Sequence, residues 1–384
     1  MTESSRRVDI AIIGAGPVGM TLALALAGGP YSVMLIDSRR RGAWETDPRA
    51  LALSHGSRQL LEHLGAWNAG AGTAIRSIHV SQRSGFGRTV IDADDYHLPA
   101  LGYVMRYREL AATLDARIDP AHLLNECALI SLTTGGDAAE IRLAGDGAEH
   151  CVAAQLVVHA EGTPGNEADV RVSDYRQHAV VAEVRPIPGH AHRAWERFTP
   201  DGPLALLPLG QDYSVVFSVP PDRARQLLAL DESPFLAALR VQFGGRLDFV
   251  ASGARASFPL ALRVRRQVSA SRQVWIGNAA QSLHPVSGQG FNLGLRDAWE
   301  LAEALLGETG GDAGAARTLA SYARGRRLDR QGSMAFTDGI VRLFSNDLAP
   351  LRCARGLGLQ ALDLVPPLRH FVARRMIWGA RAWL

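Results

Sequence analysis

The sequence predicts an α/β fold in three parts: a discontinuous Rossmann-like dinucleotide-binding domain, an antiparallel-sheet domain inserted into it, and a helical C-terminal tail. Three observations predict it. The apolar run 8–13 meets the glycine pattern Gly14-Ala-Gly-Pro-Val-Gly19, and a second apolar run, 32–36, follows a stretch of small and aliphatic residues. Between residues 178 and 220 the runs AVVAEV, PLALLPL and YSVVFSV, broken by Pro and Gly, read as strands. After Arg272 a buried strand, VWIG, leads into a second glycine-rich turn and a long amphipathic helix.

Taken in order, the first unit is strand, helix, strand. Gly28, Gly29 and Pro30 stop the helix near Ala27, and the two strands it joins must be parallel. Residues 54–64 form a helix with Leu60, Leu61 and Leu64 on one face and Gly65 just past its end. Residues 76–82 alternate polar and apolar, as a strand of an antiparallel sheet does. A further buried strand is expected at 155–160. The helix after the second turn sets Leu293, Ala298, Leu301, Ala302 and Leu305 on one face and ends at Gly307; from Gly339 onward the chain reads as helical. The expected division is 1–72, 101–172 and 262–338 for the nucleotide domain, 73–100 and 173–261 for the inserted sheet, and 339–384 for the tail.

A chain of 384 residues is long enough for two domains, and 47% hydrophobic with 21% charged residues fits a globular protein. No apolar run approaches the roughly 18 residues of a membrane span, and the N-terminus lacks a signal-peptide layout. The expectation is a cytoplasmic protein, with peripheral contact at the inner membrane left open. Cys127, Cys151 and Cys353 are too widely spaced for a CxxC pair or a metal cluster, so neither metal nor disulfide is expected. A net charge of +3 is too small to argue for nucleic acid, and all 41 basic residues are arginine.

The chemistry sits at the two turns. Gly14 permits a tight turn, Gly16 lets a pyrophosphate approach the backbone, and Gly19 lets helix and strand pack closely. Pro17 suits the first helical position, where its missing N–H costs little, and the free N–H groups there face phosphate. Asp37 ends the second strand about 20 residues on, where a carboxylate binds ribose hydroxyls. The pattern alone does not separate FAD from NAD. The second turn reads Gly277-Asn-Ala-Ala-Gln-Ser-Leu-His284-Pro285-Val-Ser-Gly288-Gln289-Gly290-Phe-Asn292, a glycine-rich helix start suited to developing negative charge.

This second segment, GNAAQSLHPVSGQGFNLGLRD, resembles the second FAD motif of the aromatic hydroxylases related to p-hydroxybenzoate hydroxylase. It is most similar to the 2-polyprenyl-6-methoxyphenol hydroxylases of ubiquinone synthesis. The stretches DPRALALSHGSRQLLEHLGAW, AWERFTPDGPLALLPL and FTDGIVRLFSNDLAPL extend the resemblance over nearly the whole chain. The resemblance implies FAD as cofactor and NAD(P)H and O2 as co-substrates, with a C4a-hydroperoxyflavin hydroxylating a polyprenylated phenol. It implies that Gly14, Gly16, Gly19 and Asp37 hold the ADP half, with Pro17 in the same cofactor-binding turn, and that Arg49 contacts the cofactor, against the alternative of a surface arginine after a turn. It sets Gly277 and Asn278, the latter in place of the usual aspartate, beside the ribityl chain and pyrophosphate. Pro285, Gly288, Gln289, Gly290 and Asn292 are to lie against the isoalloxazine.

The sequence departs from the family at its middle motif, where GADG becomes His159-Ala160-Glu161-Gly162. Glu161 is either a cofactor contact or a turn residue. His284 is the candidate base for a phenol, weighed against a histidine satisfied by local backbone. Residues 368–384 interleave Phe371, Met376, Ile377, Trp378 and Trp383 with Arg369, Arg374, Arg375 and Arg381. That pattern suits a membrane surface or packing on the parent domain. Two other functions stay open: a flavin monooxygenase acting on a soluble aromatic, and a non-catalytic flavoprotein subunit of a biosynthetic complex.

Overall fold

The computed structural model describes residues 6–83, 85–145, 147–308, 311–344 and 349–379. The first sheet is built on parallel register. Ile13 at the end of strand Arg6–Ile13 pairs with Ile36 of Val33–Ile36 on one side and His159 of Ala148–His159 on the other. Gln273–Trp275 extends the parallel set beyond His159. These strands are apolar on both faces because helices cover one and a β-meander the other. Helices Pro17–Leu26, Tyr107–Asp115 and Gln289–Leu306 bury Met20, Leu22, Leu110, Leu295 and Leu301 against the first face. On the second face Ile141 and Leu143 of the meander pack against Ala11, Ile13 and Val157.

The strand expected at 155–160 is thus only the end of a longer one. Its first half pairs antiparallel with Ala138–Gly145, which pairs in turn with Ala128–Gly135. Hairpin pairing with the two preceding strands decides this, because neither of them carries a continuous apolar run.

The second sheet is mostly antiparallel, in the order Gln281–Ser282, Ala256–Arg265, Val170–Ile187, Asp212–Val219, Gly202–Leu209, Arg193–Thr199, Ser77–Gln82, Arg88–Asp92. The three expected strands between 178 and 220 are present, with Arg193–Thr199 as a fourth. Its charged side chains hid it. Contrary to the antiparallel expectation, Ser77–Gln82 pairs parallel with Arg193–Thr199, while it pairs antiparallel with Arg88–Asp92. Strands Val170–Ile187 and Ala256–Arg265 run unbroken across the expected boundaries at 172/173 and 261/262. The stretch 173–261 is also not all sheet. Helices Pro221–Ala229 and Glu232–Phe243 cover one face, burying Leu227, Phe235, Leu239 and Phe243 against Val180, Val215 and Phe217. The other face looks toward the first sheet. A small third sheet, Ala50–Ser54 with Gly102–Arg106 and Thr73–Ile75, lies between the two.

Helix His55–His63 starts at Ser54, whose hydroxyl accepts from the Ser57 N–H, and Gly65 past its end takes the left-handed φ of 63°. The tail is helical from well before Gly339, as Ala316–Phe344, Ala349–Leu364 and Pro366–Trp378. The last of these packs back on the body, with Ala373 and Ile377 against Ile91 and Leu101. Arg381 and Trp383 lie outside the described residues. Among the described residues no helix is long and apolar enough to cross a membrane, and no cluster of His, Cys, Asp or Glu could hold a metal.

Candidate cofactor and substrate cavity

The glycines of the first turn divide by what surrounds them. Gly14 has φ 107°, and a Cβ there would fall 2.5 Å from the Ala160 carbonyl oxygen. At Gly19 a Cβ would fall 2.0 Å from the Gly14 oxygen. These two are glycine because backbone meets backbone. Gly16 is different: a Cβ there would meet only the Tyr107 hydroxyl, at 3.6 Å. Gly16 is the N-cap of helix Pro17–Leu26 and gives no side-chain cap, with Pro17 at the first position. The helix therefore starts with unclaimed N–H groups facing an open groove.

The second turn arrives at the same place. Gly277 takes φ 59° and donates its N–H to Asp297 Oδ2 at 3.0 Å. Gly288, at φ 60°, is the N-cap of helix Gln289–Leu306, again without a side-chain cap. The two helices touch at Val18. Its methyls lie 3.2 Å from where a Gly277 Cβ would be and 3.0 Å from where a Gly294 Cβ would be. Larger residues at 277 or 294 would push the helix starts apart.

Between them runs a groove of about 800 Å³, within the range of small-molecule sites. Gly16, Pro17, Arg39, Arg49, Tyr107 and Glu161 line it, together with Asn278, Pro285, Gly288 and Gly290. Its far wall is the open face of the second sheet, with Val181, Leu207, Val216, Phe258 and Leu260. A narrow apolar passage of about 80 Å³ adjoins the groove at Ala52 and Gly288, walled by Ile75, Ile78, Ile91, Leu101, Met376 and Ile377.

Asp37 does not wait with free oxygens. It accepts from the Ala15 N–H at 2.9 Å, the Arg39 N–H at 2.8 Å, and Arg39 Nε and Nη2, both at 3.0 Å. Burial alone would raise its pKa, but these hydrogen bonds outweigh it and hold the carboxyl below its ordinary value. Arg39 was not legible from the sequence; its position two residues after the acid was the available signal. Arg49 makes a bidentate pair with Asp47 and lies 4.8 Å from the centre of the Tyr107 ring, which it stacks over. Of the three adjacent residues Arg106, Tyr107 and Arg108, among which the sequence does not choose, Tyr107 lines the groove.

Glu161 is exposed to the groove and held by His159 Nδ1 at 3.1 Å. His159 in turn stacks on Trp275 at 4.9 Å. Asn278 lines the groove. The side chains of Gln289 and Asn292 do not line the groove. The Gln289 amide donates to the Met376 carbonyl at 3.2 Å. Asn292 accepts the Ser54 N–H at 2.8 Å and donates to the Ala52 and Gly288 carbonyls. Both lie on the opposite side of the turn, where they tie it to the third sheet and the last helix. His284 is 1% exposed. Its Nδ1 accepts the Val286 N–H at 3.1 Å and its Nε2 lies 3.3 Å from Gln177 Oε1. Burial pushes its pKa down to about 4. These contacts engage both ring nitrogens, and the ring also borders the groove.

Asp297 was quoted in the motif but given no role. It is buried, joining the Gly277 N–H, Gln281 Nε2 at 2.7 Å and Arg326 Nε at 2.7 Å. The residues present fit a dinucleotide with an aromatic ring system. Two uncapped helix starts offer N–H groups to phosphate and to an electron-rich ring edge. Glycines without Cβ contacts leave the backbone approachable, and the groove turns from polar at Arg39 and Arg49 to apolar at the sheet.

The family profile described as FAD binding domain matches residues 7–337. The ubiquinone hydroxylase UbiL of Rhodospirillum rubrum is 34% identical, over 97% of this chain and 90% of its own. The 3-demethoxyubiquinol 3-hydroxylase of Escherichia coli is 31% identical, over 96% of this chain and 97% of its own. Among solved structures, p-nitrophenol 4-monooxygenase from Pseudomonas putida superposes with a TM-score of 0.79, over 98% of this chain and all of its own, at 15% identity. At that identity the likeness is one of fold.

Proposed function

We infer, because the chain belongs to the FAD binding domain family, that it is an FAD-dependent monooxygenase that hydroxylates the aromatic ring of a ubiquinone precursor with NAD(P)H and O2. The observation that carries this reading is the meeting of two uncapped helix starts across Val18, over one groove whose far wall is apolar. FAD, when bound, would accept hydride from NAD(P)H and activate oxygen for transfer of one atom to the ring.

The protein's part is to bind, orient and exclude water. The N–H groups after Gly16, with Arg39 and Arg49, would hold the charged ADP half. Asp37 would take ribose hydroxyls by releasing part of its hold on Arg39. The Asn278 amide would stand beside the ribityl chain and pyrophosphate, backbone at Gly288 and Gly290 would hold the ring end, and Glu161 would mark the nicotinamide approach. Val181, Val216, Phe258 and Leu260 would seat an aromatic ring in a dry wall, which strengthens electrostatic interactions at the reacting atoms. The passage at Ala52 suits the first part of a hydrocarbon tail. Such a substrate dissolves in a bilayer, so peripheral membrane contact belongs to this reading. The exposed Leu364 and Val365 at the junction of the last two helices, with Leu368 and Phe371 in the last helix, would supply it.

The test is direct. Purified protein should be yellow and should oxidise NAD(P)H faster when given a phenol. A deletion strain should accumulate the quinone precursor that lacks one ring hydroxyl. Protein that stays colourless after incubation with FAD would remove the enzyme reading.

A further inference from the structure

Among the described residues, Glu196 carries a carboxyl oxygen, Oε1, that is closed off from solvent and has no hydrogen-bond partner. Its place in the second sheet is informative. Glu196 is opposite Ala205 on one neighbouring strand and Val80 on the other. Ala205 is opposite Val216, and Val216 is opposite Val181. Residues directly opposite share a face, so Glu196 stands in the same cross-strand row as two residues of the cavity wall. Only the methyl of Ala205 comes between it and Val216. Its diagonal neighbours on that face are Leu207, which lines the cavity, Ile78, which lines the apolar passage, Pro203, and Gln82, whose amide donates to the Phe86 carbonyl. Glu196 itself lines neither space; its row sets the carboxyl between residues that line the groove and residues that line the passage.

We propose that Glu196 is a substrate-orienting residue: its carboxyl group hydrogen-bonds a ring oxygen of the phenolic substrate and so decides which ring carbon faces the cofactor. This rests on the hydroxylase reading above. A buried carboxyl oxygen without a partner destabilises a fold, so a purely structural position would be better filled by an apolar residue. Here the missing partner is the ligand. Burial raises the Glu196 pKa to about 8, with no charge contributing, so near neutral pH the group is an acid that can both donate and accept. The flanking faces fit this. Ala205, Leu207, Val80 and Ile78 carry no charge. His284 is taken up by Val286 and Gln177. Asp338 on helix Ala316–Phe344 is engaged by Tyr175 and Arg342. Arg355 on helix Ala349–Leu364 is held at the Phe344 carbonyl.

The experiment compares the full-length FAD-loaded wild type with Glu196→Gln and Glu196→Leu, using 2-geranylphenol as the probe. FAD content, melting temperature, KM, product formed per NAD(P)H and the pH dependence of kcat/KM are measured. Both variants should keep FAD, and Glu196→Leu should melt no lower than wild type. Glu196→Leu should raise KM about tenfold, the worth of one well-placed hydrogen bond, and lower product per NAD(P)H. Glu196→Gln should recover much of the KM. Wild-type kcat/KM should fall above about pH 8, where the acid loses its proton, and that break should be absent in Glu196→Gln. A Glu196→Leu enzyme with wild-type KM and coupling overturns the assignment alone. Wild-type protein that holds FAD but hydroxylates no phenol overturns the hydroxylase reading, and the assignment with it.

Discussion

At the scale of single residues, two glycines of one motif predict opposite outcomes. Gly14→Ala forces a Cβ into the Ala160 carbonyl at a φ of 107°, so it should destabilise the fold by about 1–3 kcal/mol, read as a lower urea midpoint. Gly16→Ala has room for its methyl and should melt as wild type does while FAD affinity falls on the order of tenfold, read by titration of the apoprotein. A Gly16→Ala protein that binds FAD normally would remove the first turn from the cofactor site. His284 and His79 make a pH prediction. Burial lowers both to about 4, against about 6.5 in the unfolded chain. The unfolded state then binds more protons between those values, so stability is full above pH 6.5 and declines as pH falls toward 4. Denaturant midpoints across that range check this. His284→Ala should keep FAD, because its ring nitrogens face Val286 and Gln177.

At the scale of elements, the second turn is held in place from beneath. Arg326 is 2% exposed and touches Asp297 and Glu300, each at 2.7 Å, and Asp329 at 3.0 Å. Burial disfavours its charge, but the three carboxylates more than compensate and hold it protonated. Arg326→Met would leave Asp297 buried without its cation. It should cost about 3–5 kcal/mol and loosen FAD as well, because Asp297 also fixes the Gly277 N–H. Denaturation with and without FAD separates the two effects. Normal stability would mean the carboxylates rehydrate. The sequence left this network unread because Asp297 and Arg326 come from different helices, and nothing local marks either as buried.

For the whole molecule, the last helix bears on both substrate and membrane. It buries Ala373 and Ile377 against Ile91 and Leu101 and leaves Leu368 and Phe371 outside. Anionic liposomes should sediment wild-type protein more than a Leu368→Ser/Phe371→Ser variant, and high salt should weaken binding because arginines flank the patch. Equal sedimentation would exclude this face. The first βαβ unit, both glycine turns, Asp37 and the helix after Gly288 could be read from the sequence, because each rests on neighbours in the chain: a φ only glycine adopts, a helix start, an apolar period. Folding alone decided which side chains face the groove. Gln289 and Asn292 belong to the same motif as Gly288, yet they point away to Met376, Ser54 and Ala52. Arg39, Tyr107 and Glu196 acquire their places from strands and helices far off in sequence. A motif fixes backbone shape locally, whereas a side chain's surroundings are set by whatever packs against it, and that is known only once the sheets have come together.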